Sequence, residues 1–446
     1  MKNKKYVTGI GLFFSVLLVV GFLNMVLPKP TRSEVEQREL AKKPEFSWSS
    51  LADGTYISKY QEYFSDTFLG RDLLVRVSDW IKGFSGLKGE NQDIIYSDDT
   101  QSKDMGKAED PNSSQTESAS GSSSNSSSKV ESDPTVSQNH HIEDESAITT
   151  ASGIVVAGTT AFQLYNYADG VNSRYAAAIN AFAEKYKNIN TQCMVVPINT
   201  AFYLPEQYLS KVADEKESIE KIYAKMSEQV KTIDAYSELE AHQSEYIYFR
   251  TDHHWTQLGA YYGYSAFAKA NGIEPLDLSG WNTYLYEEYL GSLYTRTKEE
   301  RLKANPDYLL AYLPNFSYKL NYFSNNSLTE PESYLGRGTL VTTGVTGISN
   351  AYMSFIHGDQ PMEVIENLDN PNGKTLMVFK ESYGNAFVPF VCNDYETVIV
   401  LDPRYFTGSL SELMKLYSVD DALFLNYIYA PGTSQRVDEL ERIINS

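Results

Sequence analysis

Residues 375–391 are TLMVFKESYGNAFVPFV, a short apolar run, a polar turn and a second apolar run. The first run has the length and side chains of a buried strand, and the second has the length of a helix. Gly384 permits a tight turn between them. A strand, a turn and a helix in this order indicate an α/β fold, with Ser382 exposed at the top of a sheet beside the amide groups of a helix start.

The same alternation recurs between residues 147 and 446 and predicts a three-layer α/β domain with a mostly parallel sheet. Strands are predicted at 153–158, 193–200, 246–249, 375–379, 397–402 and 422–427. Helices are predicted at 173–188, 216–231, 259–272, 410–417, and from about 385 and 434. Residues 276–358 interrupt the pattern with tyrosines, asparagines and Gly-Ser turns, which predicts an insertion of loops and short antiparallel strands.

The N-terminus predicts a membrane anchor at residues 1–28. Three lysines precede residue 6, and no charge follows until after Pro28, which is about the ~20 residues that span hydrocarbon. A cleaved signal peptide is the alternative, but it would have a shorter apolar run and a cleavage site of small residues. The positive-inside rule then places the bulk of the chain outside the cell on a single-pass anchor.

The segments between the anchor and the α/β domain differ in composition. Residues 29–96 alternate charged and apolar side chains, which predicts short amphipathic helices that dock on the main domain. Residues 97–146 consist mainly of Ser, Asn, Asp, Glu and Gln and predict a disordered linker. The net charge of −20 argues against a nucleic-acid partner. Cys193 and Cys392 are expected to be buried thiols, and one disulfide between them in an oxidising compartment is the alternative.

The stretch RTDHHWTQLGAY (250–261) contains a second candidate element of the site. In an extended segment, Asp252 and His254 point to the same side and His253 points away. A carboxylate that holds one imidazole nitrogen leaves the other to accept a proton from a nucleophile, for which Ser382 is the candidate. The alternatives are structural: Ser382 as a helix N-cap, Asp252 as a turn residue and His254 as a buried imidazole.

A metal site is the competing chemical interpretation. It would combine the residues of the doublet and Asp252 with distant candidates, namely His242, His357 or Asp359. Adjacent histidines on a strand point apart and rarely chelate one ion, so no metal and no cofactor are expected. Cys392 is a weaker nucleophile candidate, because it lies in an apolar helical run without a nearby base.

Several motifs resemble the DHHW protein family of Gram-positive bacteria. They are YIYFRTDHHWTQLGAYYGYSAF, KESYGNAFVPFV and LDPRYF, with EVEQREL, DTFLGRD and RYAAAINAFAEKY nearer the N-terminus. That family is in turn similar to SGNH-hydrolase-like proteins that O-acetylate alginate and other exported polysaccharides. The resemblance implies an SGNH-hydrolase-like domain with Ser382 as nucleophile, His254 as base and Asp252 as orienting carboxylate. Glu381 stands where the family usually has aspartate.

The expected function is therefore that of a membrane-anchored, extracytoplasmic protein that O-acetylates a cell-surface or exported polysaccharide. The resemblance further implies a membrane-bound O-acyltransferase partner that delivers the acetyl group. Two alternatives stay open: a carbohydrate acetyl-esterase with the same triad, and a non-catalytic surface protein that binds glycan or a partner. Asn199 and Asn385 are candidates for an oxyanion site, and Arg404 is expected in a surface ion pair.

Overall fold

The computed structural model describes residues 147–150, 153–323 and 334–446, with scattered positions between 29 and 68. Within these residues, no helix is both long and apolar enough to cross a membrane. The predicted anchor, the predicted linker and most of residues 29–96 lie outside the described residues. They therefore stay predictions.

The chain divides into two compact units, one of Met1–Gly89 with Tyr96–Thr116 and one of Glu90–Ile95 with Glu117–Ser446. In the first unit, strands β1 (Arg32–Ser33) and β2 (Arg38–Glu39) form an antiparallel pair. All the candidate site residues belong to the second unit.

The second unit alternates strands and helices along the chain. Its strands are β3 (Ile148–Thr149), β4 (Ile154–Ala157), β5 (Thr160–Gln163), β6 (Asn190–Val196), β7 (Val230–Thr232), β8 (Asn282–Tyr289), β9 (Asp307–Leu313), β10 (Tyr318–Phe323), β11 (Tyr334–Gly338), β12 (Met362–Asn367), β13 (Thr375–Lys380), β14 (Thr397–Leu401) and β15 (Asp421–Tyr427). Its α-helices are α1 (Asp169–Lys185), α2 (Thr200–Tyr203), α3 (Glu206–Leu209), α4 (Glu215–Tyr223), α5 (Ala235–Ala241), α6 (Gln257–Ala270), α7 (Ser292–Thr297), α8 (Glu300–Lys303), α9 (Tyr383–Val391), α10 (Leu410–Leu416) and α11 (Ser434–Ile444). Short 3₁₀ turns cover Leu278–Gly280 and Ala351–Ser354.

An eight-stranded mixed sheet forms the core, in the order β11-β10-β12-β14-β13-β15-β6-β7. The five strands from β14 to β7 are parallel to one another. The three strands β12, β10 and β11 extend this block with antiparallel pairs. The predicted α/β class is confirmed, and the parallel block is the part that the strand and helix alternation predicted.

The central strands are buried on both faces. In β13, β14 and β15, runs of at least four consecutive residues are buried, which requires cover above and below the sheet. Helix α1 packs with α11, and α6 packs with α5 and α9. The apolar runs in the sequence therefore reflect strands that lie between two helical layers. Both cysteines are buried and form no disulfide.

Three predicted elements differ in the structure. The predicted strand at 246–249 has only an isolated bridge between Tyr248 and Trp255, because the chain bends after it and bonds to its own continuation. Strand β4 pairs with β3 and β5 in a separate antiparallel sheet rather than in the main sheet. The predicted helix at 216–231 ends at Tyr223, and its last residues form edge strand β7.

The interrupted region supplies two kinds of structure. Strands β8 and β9 form a two-stranded antiparallel sheet of their own, whereas β10 and β11 add to the edge of the main sheet. The turn between β8 and α7 and the 3₁₀ turn at Ala351–Ser354 both approach the candidate site. This region thus contributes directly to the surroundings of Ser382.

Candidate active site

Ser382 lies in the turn that joins β13 to α9. It occupies the N-cap position with helical backbone angles, and its hydroxyl makes no capping hydrogen bond. Glu381 holds the turn instead, because its two carboxylate oxygens accept hydrogen bonds at 2.8 Å from the amides of Tyr383 and Tyr427. Gly384 is required here, since a Cβ would lie 2.6 Å from Lys380 Cβ. The Ser382 hydroxyl therefore does not cap α9, and Glu381 holds the turn.

Asp252 and His254 lie in a bend rather than in a strand. Asp252 Oδ1 accepts from the His254 amide at 2.9 Å and contacts His254 Nδ1 at 2.5 Å. The prediction of an extended segment was therefore wrong, although it paired the same two residues. His253 also does not point away, because its ring centroid lies 3.8 Å from that of His254.

The bend is fixed at its C-terminal end by Trp255, which is fully buried. Its indole Nε1 donates to the Tyr383 carbonyl at 3.0 Å, which ties the bend to the start of α9. Gly263 of α6 lies directly against the indole, since a Cβ there would be 2.7 Å from Trp255 Cζ3. One aromatic side chain therefore joins the two sequence motifs.

The three candidate residues form one line of hydrogen bonds. His254 Nε2 lies 2.7 Å from Ser382 Oγ, although 128 residues separate them in sequence, and His254 Nδ1 faces Asp252. Asp252 and His254 are buried, and Ser382 is only 8% exposed, so the prediction of an exposed serine was wrong. With Nδ1 protonated toward the carboxylate, Nε2 is available to accept the serine proton, which is the arrangement of an activated nucleophile.

The surroundings of Asp252 keep it ionised. Burial by itself would raise the pKa of Asp252, but the charges of His254 and His253 and the hydrogen bonds from His254 and the Ser292 amide hold it well below its usual range. The Ser292 amide donates to Asp252 Oδ2 at 2.6 Å. Gly291 allows this approach, because a Cβ there would lie 2.2 Å from Asp252 Oδ2.

Tyr352 is a neighbour of the site that the sequence did not reveal. Its ring stacks on the His254 imidazole at 3.9 Å with an interplanar angle of 12°, and its hydroxyl donates to the Ser382 carbonyl at 3.2 Å. The chain contains 34 tyrosines, so composition gives no signal for this one. Asp307 was missed for a similar reason: it is fully buried, and it accepts from the Thr251 amide at 2.7 Å and the Thr251 hydroxyl at 2.6 Å.

A buried charge network lies near Ser382 and includes Asn385 of α9. Lys380 Nζ donates to Asn385 Oδ1 at 2.7 Å and lies 3.4 Å from Asp402, while Arg404 contacts Asp402 at 2.7 Å and Asp359 at 3.0 Å. The side chain of Arg404 is only 2% exposed, so the expectation of a surface ion pair was wrong. Local sequence cannot show this, because its partners include a residue 45 positions away.

The two oxyanion candidates are both bonded within the protein. Asn385 Nδ2 donates to Asp359 at 2.7 Å, and Asn199 Nδ2 donates to the Ala161 carbonyl at 2.9 Å. Each side-chain amide therefore has a structural bond within the protein.

Three of the residues in the competing metal interpretation lie close together. Asp252, His253 and His254 offer ligand atoms within 4.8 Å of one another. The contact between His254 Nδ1 and Asp252 Oδ1 nevertheless has hydrogen-bond length and occupies atoms that a shared ion would need. The distant residues His242, His357 and Asp359 contact Glu245, Tyr322 and Arg404 instead. The donor set therefore fits a proton-transfer chain better than a chelate.

The profile of the DHHW protein family matches residues 36–401. The chain belongs to the DHHW protein family. The predicted family is thus confirmed. A crystal structure of a DHHW family protein from Eubacterium siraeum is 34% identical and has a TM-score of 0.61, with 66% of this chain and 97% of that chain covered.

A more distant similarity supports the fold. Bacillus cereus PatB1 is 19% identical with a TM-score of 0.53, with 64% of this chain and 97% of that chain covered. A second structure of PatB1, with a sulfonyl adduct, has 17% identity and a TM-score of 0.52, and covers 64% of this chain and 96% of that chain. A search of curated protein sequences finds no match to this member of the DHHW family.

Proposed function

We propose that this DHHW protein is an acyl-transfer enzyme that forms an acetyl ester on Ser382 and passes the acetyl group to a hydroxyl of a cell-surface or exported polysaccharide. The observation that carries the proposal is the 2.7 Å contact between His254 Nε2 and Ser382 Oγ, with Asp252 bonded to the other side of the imidazole. Two motifs far apart in sequence meet here in the geometry that nucleophilic catalysis requires.

The chemistry proceeds in two half-reactions. In the first, the Ser382 hydroxyl proton moves to His254 Nε2 while Oγ bonds to the acetyl carbonyl carbon, and the donor leaves with that proton. In the second, the acceptor hydroxyl gives its proton to Nε2 and attacks the ester, and Ser382 Oγ regains the proton. Asp252 stabilises the imidazolium in both steps.

The proposal extends to the cellular setting. The predicted N-terminal anchor places the domain outside the cytoplasm, and a membrane-bound O-acyltransferase partner supplies the acetyl group across the membrane. The acetyl and polysaccharide specificity rests on the resemblance of the motifs to SGNH-hydrolase-like polysaccharide O-acetyltransferases. The low exposure of Ser382 supports transfer, because restricting water protects an ester intermediate from hydrolysis.

The nucleophile is tested by covalent trapping. Incubation with an aryl sulfonyl fluoride is expected to add one sulfonyl group to the intact protein, measured by mass spectrometry, and to place it on Ser382. Ser382→Ala is expected to abolish both the label and the hydrolysis of an acetyl-ester reporter. Ser434→Ala, which changes a half-buried serine at the start of α11, is the control and should keep both.

Full reporter hydrolysis by a folded Ser382→Ala protein would refute Ser382 as the nucleophile.

The three candidate functions differ in what happens to the acetyl group and to the polysaccharide. A transferase moves radiolabelled acetyl from the reporter to purified cell-wall polysaccharide, whereas an esterase releases acetate from acetylated polysaccharide. A binding protein retains glycan in a pull-down and leaves both substrates unchanged.

A further inference from the structure

The first histidine of the DHHW motif has contacts that the proposed triad does not use. His253 is 5% exposed, and its Nδ1 lies 2.6 Å from Ser292 Oγ. The same nitrogen lies 3.6 Å from Asp252 Oδ1. The hydroxyl of Tyr383 donates a short hydrogen bond to the His253 carbonyl. This residue is therefore built into the wall of the site.

His253 cannot serve as the base of a second triad. In a Ser-His-Asp relay, the serine and the carboxylate contact opposite nitrogens of the imidazole. One nitrogen then accepts the serine proton while the carboxylate holds the ring through the other nitrogen. Here Ser292 and Asp252 both lie on the Nδ1 side of His253. The arrangement has the geometry of a support rather than of a relay.

The contacts of His253 and Ser292 close a ring around the catalytic carboxylate. Ser292 bonds His253 through its hydroxyl at 2.6 Å and Asp252 Oδ2 through its amide at 2.6 Å. His254 bonds the other oxygen, Asp252 Oδ1. A carboxylate rotates easily about its bond to Cβ unless both oxygens are held. Ser292 holds the oxygen that His254 does not reach.

We propose that His253 is a positioning residue that, through Ser292, clamps the Asp252 carboxylate so that Oδ1 faces His254 Nδ1. The inference rests on the proposed function for its catalytic consequence, but the clamp itself has a separate readout. It explains the histidine doublet: His254 transfers the proton, and His253 fixes the group that orients His254.

Two pairs of variants test the clamp. Ser292 is the first residue of α7 and follows Gly291 in an extended conformation, so proline suits the backbone at this position. Ser292→Pro removes both the amide donor to Asp252 and the hydroxyl that contacts His253, and its ring takes the place of the amide hydrogen and pushes Asp252 Oδ2 away. Ser434→Pro is the matched control, because Ser434 is the first residue of α11 and follows extended Thr433. His253→Leu removes the contact with Ser292, and His253→Asn retains a donor at the place of Nδ1.

In kinetics with the acetyl-ester reporter, Ser292→Pro and His253→Leu are expected to lower kcat/KM by about ten- to a hundredfold with little change in KM. His253→Asn is expected to stay within about threefold of the wild-type kcat/KM, a change that corresponds to only part of the free energy of one hydrogen bond. Ser434→Pro is expected to leave kcat/KM unchanged. Wild-type kcat/KM in His253→Leu, with the thermal midpoint retained, would overturn the clamp.

A second measurement does not depend on catalysis. The proton shared between His254 Nδ1 and Asp252 should give a far-downfield proton NMR signal that disappears in His254→Ala. In Ser292→Pro and His253→Leu, this signal is expected to move upfield or to broaden, because the carboxylate is no longer fixed. An unchanged signal in both variants refutes the clamp. If the wild-type protein lacks reporter hydrolysis but shows this behaviour, the proposed function fails and the clamp stands.

Discussion

Gly291 is the position where a single methyl group should test the geometry of the site most directly. Its backbone angles, φ −83° and ψ −162°, are accessible to alanine, so Gly291→Ala introduces no backbone strain. The added Cβ would nevertheless lie 2.2 Å from both Cβ and Oδ2 of Asp252. Ordinary contact begins at 3.4 Å, so the carboxylate must retreat by about 1.2 Å.

A displacement of that size breaks the 2.5 Å contact between Asp252 Oδ1 and His254 Nδ1. Misplacement by about 1 Å costs about a hundredfold in rate, or about 2.7 kcal/mol of transition-state stabilisation. The expected result for Gly291→Ala is therefore a loss of about a hundredfold in kcat/KM on an acetyl-ester reporter. Overpacking should also lower the free energy of unfolding by about 1–3 kcal/mol.

The control is Gly280→Ala, at a glycine in the same interrupted region where a Cβ would meet no atom within 4 Å. It should keep wild-type kcat/KM. The assay is initial-rate hydrolysis of the reporter, with a thermal melt of each variant to confirm that the protein is folded. If folded Gly291→Ala hydrolyses the reporter at the wild-type rate, the close packing of Asp252 is not needed and the argument fails.

Three further changes probe the neighbouring structure. Burial raises the pKa of Glu215 to about 8, so its stabilising contribution is present below its unfolded value of about 4.3 and is lost as the pH rises toward 8. In urea unfolding, Glu215→Gln should therefore gain on wild type by up to about 1.4 kcal/mol per pH unit between about pH 5 and 8, and a constant difference would contradict this. Tyr352→Phe removes only the hydrogen bond to Ser382 and should lower kcat/KM less than about tenfold, so a larger loss would indicate that the hydroxyl acts in the reaction. Lys380→Met leaves the fully buried Asp402 undercompensated and should cost about 3–5 kcal/mol in urea unfolding, whereas a neutral effect would refute the buried ion pair.

Features set by interactions within one element could be predicted from the sequence, and features set by contacts between distant elements could not. Strands β13, β14 and β15 and helices α1, α9 and α11 were predicted, because runs of apolar residues and their spacing report burial within one element. The error at 246–249 has the same origin. Those residues are buried as their pattern suggests, but they form a single bridge just before a bend, and an apolar pattern does not distinguish a sheet partner from other packing.

The two motifs that contain the candidate catalytic residues were recognisable in the sequence, because Asp252, His254 and Ser382 are side chains suited to proton transfer and lie beside strand and helix signals. The residues that surround them in the structure were not recognisable. Gly291, Ser292 and Tyr352 all come from the region of broken pattern, and their approach to the site depends on contacts between residues 30 to 40 positions apart.

The sequence by itself determined the α/β class, the family and the three residue types of the site, because these depend on local pattern and on the motifs themselves. Only the tertiary structure decided that His254 and Ser382 meet at 2.7 Å and that His253 lies within the site. Only the tertiary structure decided, too, that Arg404 is buried rather than exposed. The physical reason is that hydrogen-bond geometry and burial depend on chain segments distant in sequence, and periodicity along the chain carries no information about which of them meet.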